Sequence, residues 1–208
     1  MNTPRPTLSR AALLAALFAA TLLQAACGGG GGDSNTAASA APAPAPAPAP
    51  APSPAPAPAP AAAATCNISD FAATALARIN QIRAAGANCH SDGVFPPAAP
   101  LAWNGLLTQA AAAHSADMST LNYFSHTSAD GRTLGTRVTA AGYAWSRLGE
   151  NIAAGYVGID SVMNGWVASD GHCANLMNPN FTEVGLACVP GTPGSAYNTY
   201  WTMDLGRP

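Results

Sequence analysis

Gly171-His172-Cys173-Ala174-Asn175-Leu176-Met177, followed after a short gap by Phe181-Thr182-Glu183-Val184-Gly185-Leu186-Ala187-Cys188-Val189, decides the fold class. The first stretch reads as a brief helical turn from His172 to Met177. The second, Glu183 to Val189, clusters and alternates β-forming residues and reads as a strand, as does Tyr197 to Leu205 beyond it. Working outward toward the N-terminus, Asp160 can cap a helix running through Val162, Met163 and Trp166, and the segment around Glu150 to Ala153 reads as another strand. Helices and strands interleaved in this order imply a layered α+β sandwich, because each apolar face must be covered by another element.

Three further helices precede that region. Ser69 and Asp70 offer N-caps to a run in which Phe71, Ala75, Leu76, Ile79 and Ile82 recur at helical spacing until Gly86. A loop carrying Pro96, Pro97 and Pro100 leads to Asn104, which can cap a helix through Leu106, Leu107, Ala110, Ala111, His114, Met118 and Leu121. A shorter helix is predicted from Thr133 to Ala141, ending at Gly142. Trp103, Trp145, Trp166 and Trp201 are expected in the core, and His114, at helical spacing with Ala110 and Met118, at its edge.

The N-terminal third has a different character. Arg5 and Arg10 precede an apolar run from Ala11 to Ala26, the order of a secretory signal, and too short a run for a membrane span of about 20 residues. Ala25 and Ala26 lead into Cys27, which resembles a bacterial lipoprotein signal; Gln24 stands where that signal usually has leucine. Gly28 to Gly32 and an Ala-Pro alternation from Pro42 to Pro60 follow. Proline fixes its own φ and restricts the residue before it, so this repeat reads as a semi-rigid spacer reaching about 60 Å at about 3.1 Å per residue. The expected organisation is therefore a signal at 1–26, a lipidated Cys27 with a linker at 27–65, and one folded domain at 66–208. Such a chain is expected to be an exported monomer on the outer side of a bacterial membrane or, alternatively, fully secreted.

Charge and cysteine content narrow the partners. From Cys66 onward six Arg face nine Asp and Glu, with no Lys, so no basic patch is available for a nucleic acid. Cys66, Cys89, Cys173 and Cys188 form an even set, expected as two disulfides in an exported domain. Their spacing is not that of a zinc site. The helix between Cys66 and Cys89 would be about 24 Å long, whereas bridged Cα atoms approach to about 4.4–6.8 Å. The favoured pairing is thus Cys89 with Cys173 and Cys66 with Cys188.

Four phrases, in order, resemble the CAP superfamily of cysteine-rich secretory, antigen 5 and pathogenesis-related proteins, in its short bacterial form. They are the helix from Trp103 to Met118 with Asn122-Tyr123-Phe124-Ser125-His126, then Gly149-Glu150-Asn151-Ile152-Ala153, then Gly165-Trp166 with Gly171-His172-Cys173-Ala174-Asn175-Leu176, and Phe181-Thr182-Glu183-Val184-Gly185. Tyr200 to Asp204 looks like the family's last strand. The resemblance implies a three-layer α-β-α sandwich with a cleft holding two His and two Glu. By motif these are His126, Glu150 and His172, while Ser169, next to Asp170, stands at the second Glu position.

Two imidazoles and a carboxylate suit zinc or another divalent cation with open coordination positions. They equally suit a cluster in which Glu150 orients a histidine. The chain has only two glutamates, so Glu150 is not part of a generic acidic surface. Of the rest, Glu183 is expected to face solvent, His90 to be exposed, and Asn151 and Asn175 to satisfy backbone groups. The leading functional expectation is a binding module for an envelope or extracellular ligand (lipid, sterol, polymer or protein), with a cleft for a metal or apolar group. The alternatives are a hydrolase using a metal-bound water or Ser125 or Ser169, and an adhesive element with a vestigial cleft. No Gly-x-Ser-x-Gly elbow or His-Glu-x-x-His helix is present to support the hydrolase.

Overall fold

The computed structural model describes residues 64–208; the signal, Cys27 and the Ala-Pro repeat lie outside the described residues. The chain order is α1 (Phe71–Ala85), β1 (Ala87–Asn88), a 3₁₀ turn (His90–Asp92), β2 (Val94–Phe95), β3 (Ala102–Trp103), α2 (Gly105–Thr120), α3 (Leu134–Ala140), β4 (Arg147–Ala154), α4 (Ile159–Val167), α5 (Asp170–Met177), β5 (Glu183–Pro190) and β6 (Thr199–Arg207). Strands β3-β5-β6-β4 form the main sheet in that order, antiparallel except for the short β3–β5 pair. β1 and β2 form a separate small ribbon.

Period-two alternation in β6 explains the layering. Trp201, Met203 and Leu205 join the core under α1, α4 and α5, together with Ile79, Val162, Trp166 and Leu176. Tyr200, Thr202 and Asp204 turn to the opposite face, where Met118 packs on Tyr200 and Ser115 Oγ meets Thr202 Oγ1 at 2.8 Å. The result is the layered α+β sandwich that the residue pattern implied, in the three-layer α-β-α form that the resemblance implied. Gly185 makes one face possible: a Cβ there would lie 2.1 Å from the Thr108 amide nitrogen, so α2 can lie on β5 only above a bare backbone.

Asn104 caps α2 as expected, its side chain accepting from the N–H groups of Leu106 (2.9 Å) and Leu107 (3.2 Å). Two other capping expectations are corrected. Asp70 precedes α1 at φ 49° and makes no side-chain cap bond. Asp160 lies inside the first turn of α4, where its carboxylate pairs with Arg78, and Gly158 holds the cap position.

Both disulfides connect as favoured, with Cα separations of 5.3 Å for Cys66–Cys188 and 5.4 Å for Cys89–Cys173. The first joins the entering chain to β5, where Thr65 also bridges Cys188. The second joins the 3₁₀ turn to α5. Arg83, fully buried, adds a polar staple by donating to the carbonyls of Leu176 (2.7 Å) and Ala99 (2.9 Å). Of the four tryptophans, Trp166 and Trp201 are core residues, Trp103 is half-buried and Trp145 is 45% exposed. The Trp145 indole covers Gly135 and donates to Thr139 from the outside of the fold. Among the described residues no helix is long and apolar enough to cross a membrane.

Candidate functional site

β4 is an edge strand, and the site is built across that edge. Glu150 and Ile152 project toward the α2 face, while Asn151 projects toward α5. Glu150 is buried, and both of its oxygens are engaged. Oε1 accepts from His126 Nδ1 at 2.7 Å, and Oε2 from Arg137 Nη2 at 2.5 Å. Arg137, which sequence reasoning missed, reaches the site from α3, whose start is capped by the Thr133 hydroxyl. Its guanidinium also donates to the carbonyls of His126 (3.0 Å) and Arg132 (3.2 Å), fixing the loop that presents His126. Burial pushes the Glu150 carboxyl up, but the His126 hydrogen bond and the Arg137 charge outweigh it and hold Glu150 below the usual carboxylate range.

His172 approaches from the other side on α5. Ser169 holds the N-cap position of that helix but makes no cap bond; its hydroxyl lies 2.9 Å from His172 Nδ1. Asn151 donates to the His172 carbonyl (2.9 Å), and Asn175 donates to the Glu150 carbonyl (3.2 Å) and to Asn151 Oδ1 (3.0 Å). These two amides thus lock α5 to β4, the backbone role expected of them. The Cys89–Cys173 bridge and a Ser91–Asp170 hydrogen bond hold the His90–Asp92 turn beside the same helix. Burial lowers the His172 pKa, and the nearby His126 lowers it further, so the neutral imidazole is favoured.

His126, Glu150, His172 and Ser169 therefore come together, around an open cavity of about 490 Å³ that also touches Asp92 and Asn175. A second hollow of about 320 Å³ adjoins it through Ser169 and His172 and is lined by Phe124, Ile152, Trp166 and Tyr197. The cleft is thus polar at one end and aromatic at the other. Glu183 lies elsewhere, half-buried at the start of β5, accepting from Tyr143 Oη at 2.6 Å and Asn104 Nδ2 at 3.3 Å. His90 is exposed.

His114 is fully buried beneath the site, its Nε2 2.9 Å from the Ser125 carbonyl. Burial drives its pKa down to about 4, partly opposed by the Glu150 charge. Asp204 stands opposite Glu150 in the β4–β6 register, fully buried, with neither oxygen hydrogen-bonded among the described residues. Burial raises its pKa well above the usual range, and the Glu150 charge adds to the rise. A protonated Asp204 beneath an ionised Glu150 is the consistent arrangement.

The donor set does not fit a three-ligand metal centre. Both Glu150 oxygens are committed to His126 and Arg137, and the described residues contain no group of three His, Cys, Asp or Glu placed to hold a metal. Glu150 orients His126, and of the His126, Glu150 and His172 set the two imidazoles remain for a ligand.

A disulfide-bonded α-β-α sandwich with an edge-strand cleft carrying two imidazoles defines a recognisable class of small domain. The profile of the CAP group, the cysteine-rich secretory protein family, matches residues 76–205, and the chain belongs to that family. It is 33% identical over 106 residues to the Bacillus subtilis strain 168 protein YkwD, an uncharacterized protein, covering 51% of this chain and 39% of that one. It is 36% identical over 88 residues to YlbC, an uncharacterized membrane protein of the same strain, covering 42% and 25%. The chain therefore spans well under half the length of these curated relatives. Among solved structures, an extracellular protein containing a SCP domain from Bacillus anthracis strain Ames matches with 34% identity and a TM-score of 0.47, over 53% of this chain and 35% of that one.

Proposed function

We propose that the protein is an exported binding module, carried by the signal at 1–26 and anchored through Cys27, whose cleft receives a ligand between His126 and His172. One observation carries this reading. Each imidazole is fixed through Nδ1, by Glu150 or Ser169, so each Nε2 is left without a protein partner among the described residues, beside an open cavity. A neutral imidazole Nε2 offers a lone pair to a cation, and its other tautomer offers a donor to an oxygen. The ligand is then a divalent cation held by two imidazoles and solvent, or the polar group of an envelope lipid or polymer.

Zinc titration by calorimetry on the chain from Gly28 onward tests the reading, together with thermal shifts on phosphatidylglycerol vesicles. Binding of either probe is expected to be lost in both His126→Ala and His172→Ala and kept in His90→Ala, whose histidine is exposed outside the cleft. Binding that survives both cleft substitutions, or a folded domain that binds neither probe, overturns it.

The Ser169–His172 contact favours a second reading, a serine hydrolase. In that chemistry an imidazole takes the serine proton while a carboxylate orients its other nitrogen. No carboxylate hydrogen-bonds His172 among the described residues. Background activity of the wild type no greater than that of His172→Ala on an ester and peptide panel removes this reading.

A further inference from the structure

The aromatic hollow beside the imidazoles has a chemistry of its own. Its lining includes no Asp, Glu or Arg. Aromatic faces are open there: Phe124 and Tyr197 are 45% and 43% exposed, with ring centroids 6.0 Å apart and planes inclined at 57°. The same lining presents hydrogen-bonding groups that the fold does not use. The Gly155 N–H donates to the Thr199 carbonyl, so by antiparallel alternation the half-buried Ala154 turns its N–H and carbonyl away from β6. Neither group makes a hydrogen bond among the described residues, and neither do the hydroxyls of Tyr156 and Tyr197.

The loops that carry these groups are tied down before any ligand arrives. Thr199 Oγ1 and Trp201 Nε1 donate to the Tyr156 carbonyl at 2.8 and 3.0 Å. The Ala196 N–H donates to Asn122 Oδ1 at 2.7 Å, and Ser195 Oγ to the Ser119 carbonyl at 2.9 Å, which joins the Tyr197 loop to the segment leading to Phe124. Gly165 admits the Tyr156 ring, since a Cβ there would stand 2.5 Å from Tyr156 Oη. A site held in this way loses little further freedom on binding.

Three classes of ligand can be compared with this lining. A charged group would meet no counter-charge in it. An alkyl chain would cover the Ala154 N–H and carbonyl without bonding them, and a polar group buried so loses its water for nothing. A pyranose ring satisfies both demands, because its C–H face packs on aromatic rings while its hydroxyls donate and accept at the rim. The volume of about 320 Å³ lies at the low end of the range of about 300–1,000 Å³ for small-molecule sites, which suits a single ring. We propose that the aromatic hollow is a saccharide subsite, receiving one uncharged pyranose ring of an envelope or extracellular glycan. This deepens the binding role proposed above and rests on it, in that the cleft takes a ligand from outside the chain.

Nitrogen-15 NMR titration tests it on the chain from Gly28 onward, which keeps the described domain with both disulfides. The probes are N,N′-diacetylchitobiose and cellobiose, which separate an acetamido sugar from one bearing hydroxyls alone, with 1-octanol as the aliphatic control. Either disaccharide is expected to shift the Ala154, Gly155 and Gly165 amides. Its Kd is expected to rise roughly three- to tenfold in Phe124→Leu and in Tyr197→Leu, exposed positions where leucine keeps apolar area and removes the aromatic face. Disaccharide affinity unchanged in both variants overturns the proposal, as does octanol binding at these amides more tightly than either sugar. Absence of any shift with both sugars also overturns it. In that case zinc or vesicle binding that depends on His126 and His172 leaves the binding role standing, and loss of every probe removes both.

Discussion

Arg137→Met removes the guanidinium from Glu150 while keeping most of the stem's volume. The two side chains are 1% and 3% exposed, and Nη2 and Oε2 are 2.5 Å apart, so the pair is screened hardly at all by solvent. Without Arg137, the carboxylate stays buried with His126 as its remaining hydrogen-bond donor, directly opposite Asp204. Breaking a buried pair by removing one member costs about 3–5 kcal/mol, because the survivor is an uncompensated charge. At about 2–4 °C per kcal/mol for a domain near this size, the melting temperature is expected to fall by roughly 10–15 °C at pH 7. Circular dichroism of the oxidised protein measures the fall. Arg137→Met combined with Glu150→Gln leaves no charge to strand, and is expected to recover at least half of the loss. A double variant as unstable as the single one, or a single variant within about 1 kcal/mol of wild type, would refute the idea that the pair's stakes are electrostatic.

His114→Gln is expected to flatten the stability profile on the acid side. The folded imidazole stays neutral down to about 4 while the unfolded one protonates near 6.5, so its contribution is complete above pH 6.5 and lost as pH falls toward 4. That interval corresponds to about 3 kcal/mol, read from urea unfolding of wild type and variant at each pH. Asp204→Asn is expected to act with the opposite sign. Its carboxyl is protonated when folded and ionises near 3.9 when unfolded, so wild type loses stability as pH rises above about 4, and the variant's relative gain grows with pH by at most about 1.4 kcal/mol per unit. A gain that is flat between pH 4 and pH 7 would contradict a protonated Asp204. Replacing Cys89 and Cys173 together by Ala is expected to cost up to about 4–5 kcal/mol from an 84-residue loop, measured by thermal unfolding; a loss below about 1 kcal/mol would mean the bridge constrains little.

What was legible in the sequence followed from local chemistry. Asn104 before an apolar helical run names its own helix start, and the Glu183 and Tyr197 segments name strands, because cap geometry and β-propensity act within a few residues. Elements without room for a period were not legible: β1, β2 and β3 each have two residues, too few to show alternation. Asp160 misled because a carboxylate suits either a cap or a first turn, and the φ of 85° at Gly158 decided between them. His126, Glu150 and His172 could be singled out from their phrases. Arg137 could not, since Leu134–Ala140 is a short helix in which an arginine looks like any surface cation until the tertiary fold buries it. Asp204 was hidden in the same way, on a strand whose burial on both faces is a property of the sandwich.

The serine at position 169 and the arginine at 137 together change what the cleft can recognise. A second carboxylate, where the resemblance expects one, would leave the cleft with an acid beyond the one that Arg137 neutralises. With Ser169 there, His172 meets a neutral hydroxyl, and burial and the neighbouring imidazole keep it neutral. The Glu150 charge is already balanced by Arg137 at 2.5 Å, so it adds little net field to the cavity. Asp92, an exposed carboxylate, also lines the cavity. In the binding role proposed above, recognition at this end would rest on imidazole lone pairs and donors at fixed positions, which select a ligand by geometry more than by charge. That accords with the binding role proposed above, in which Glu150 and Ser169 hold the two histidines by Nδ1 beside the open cavity.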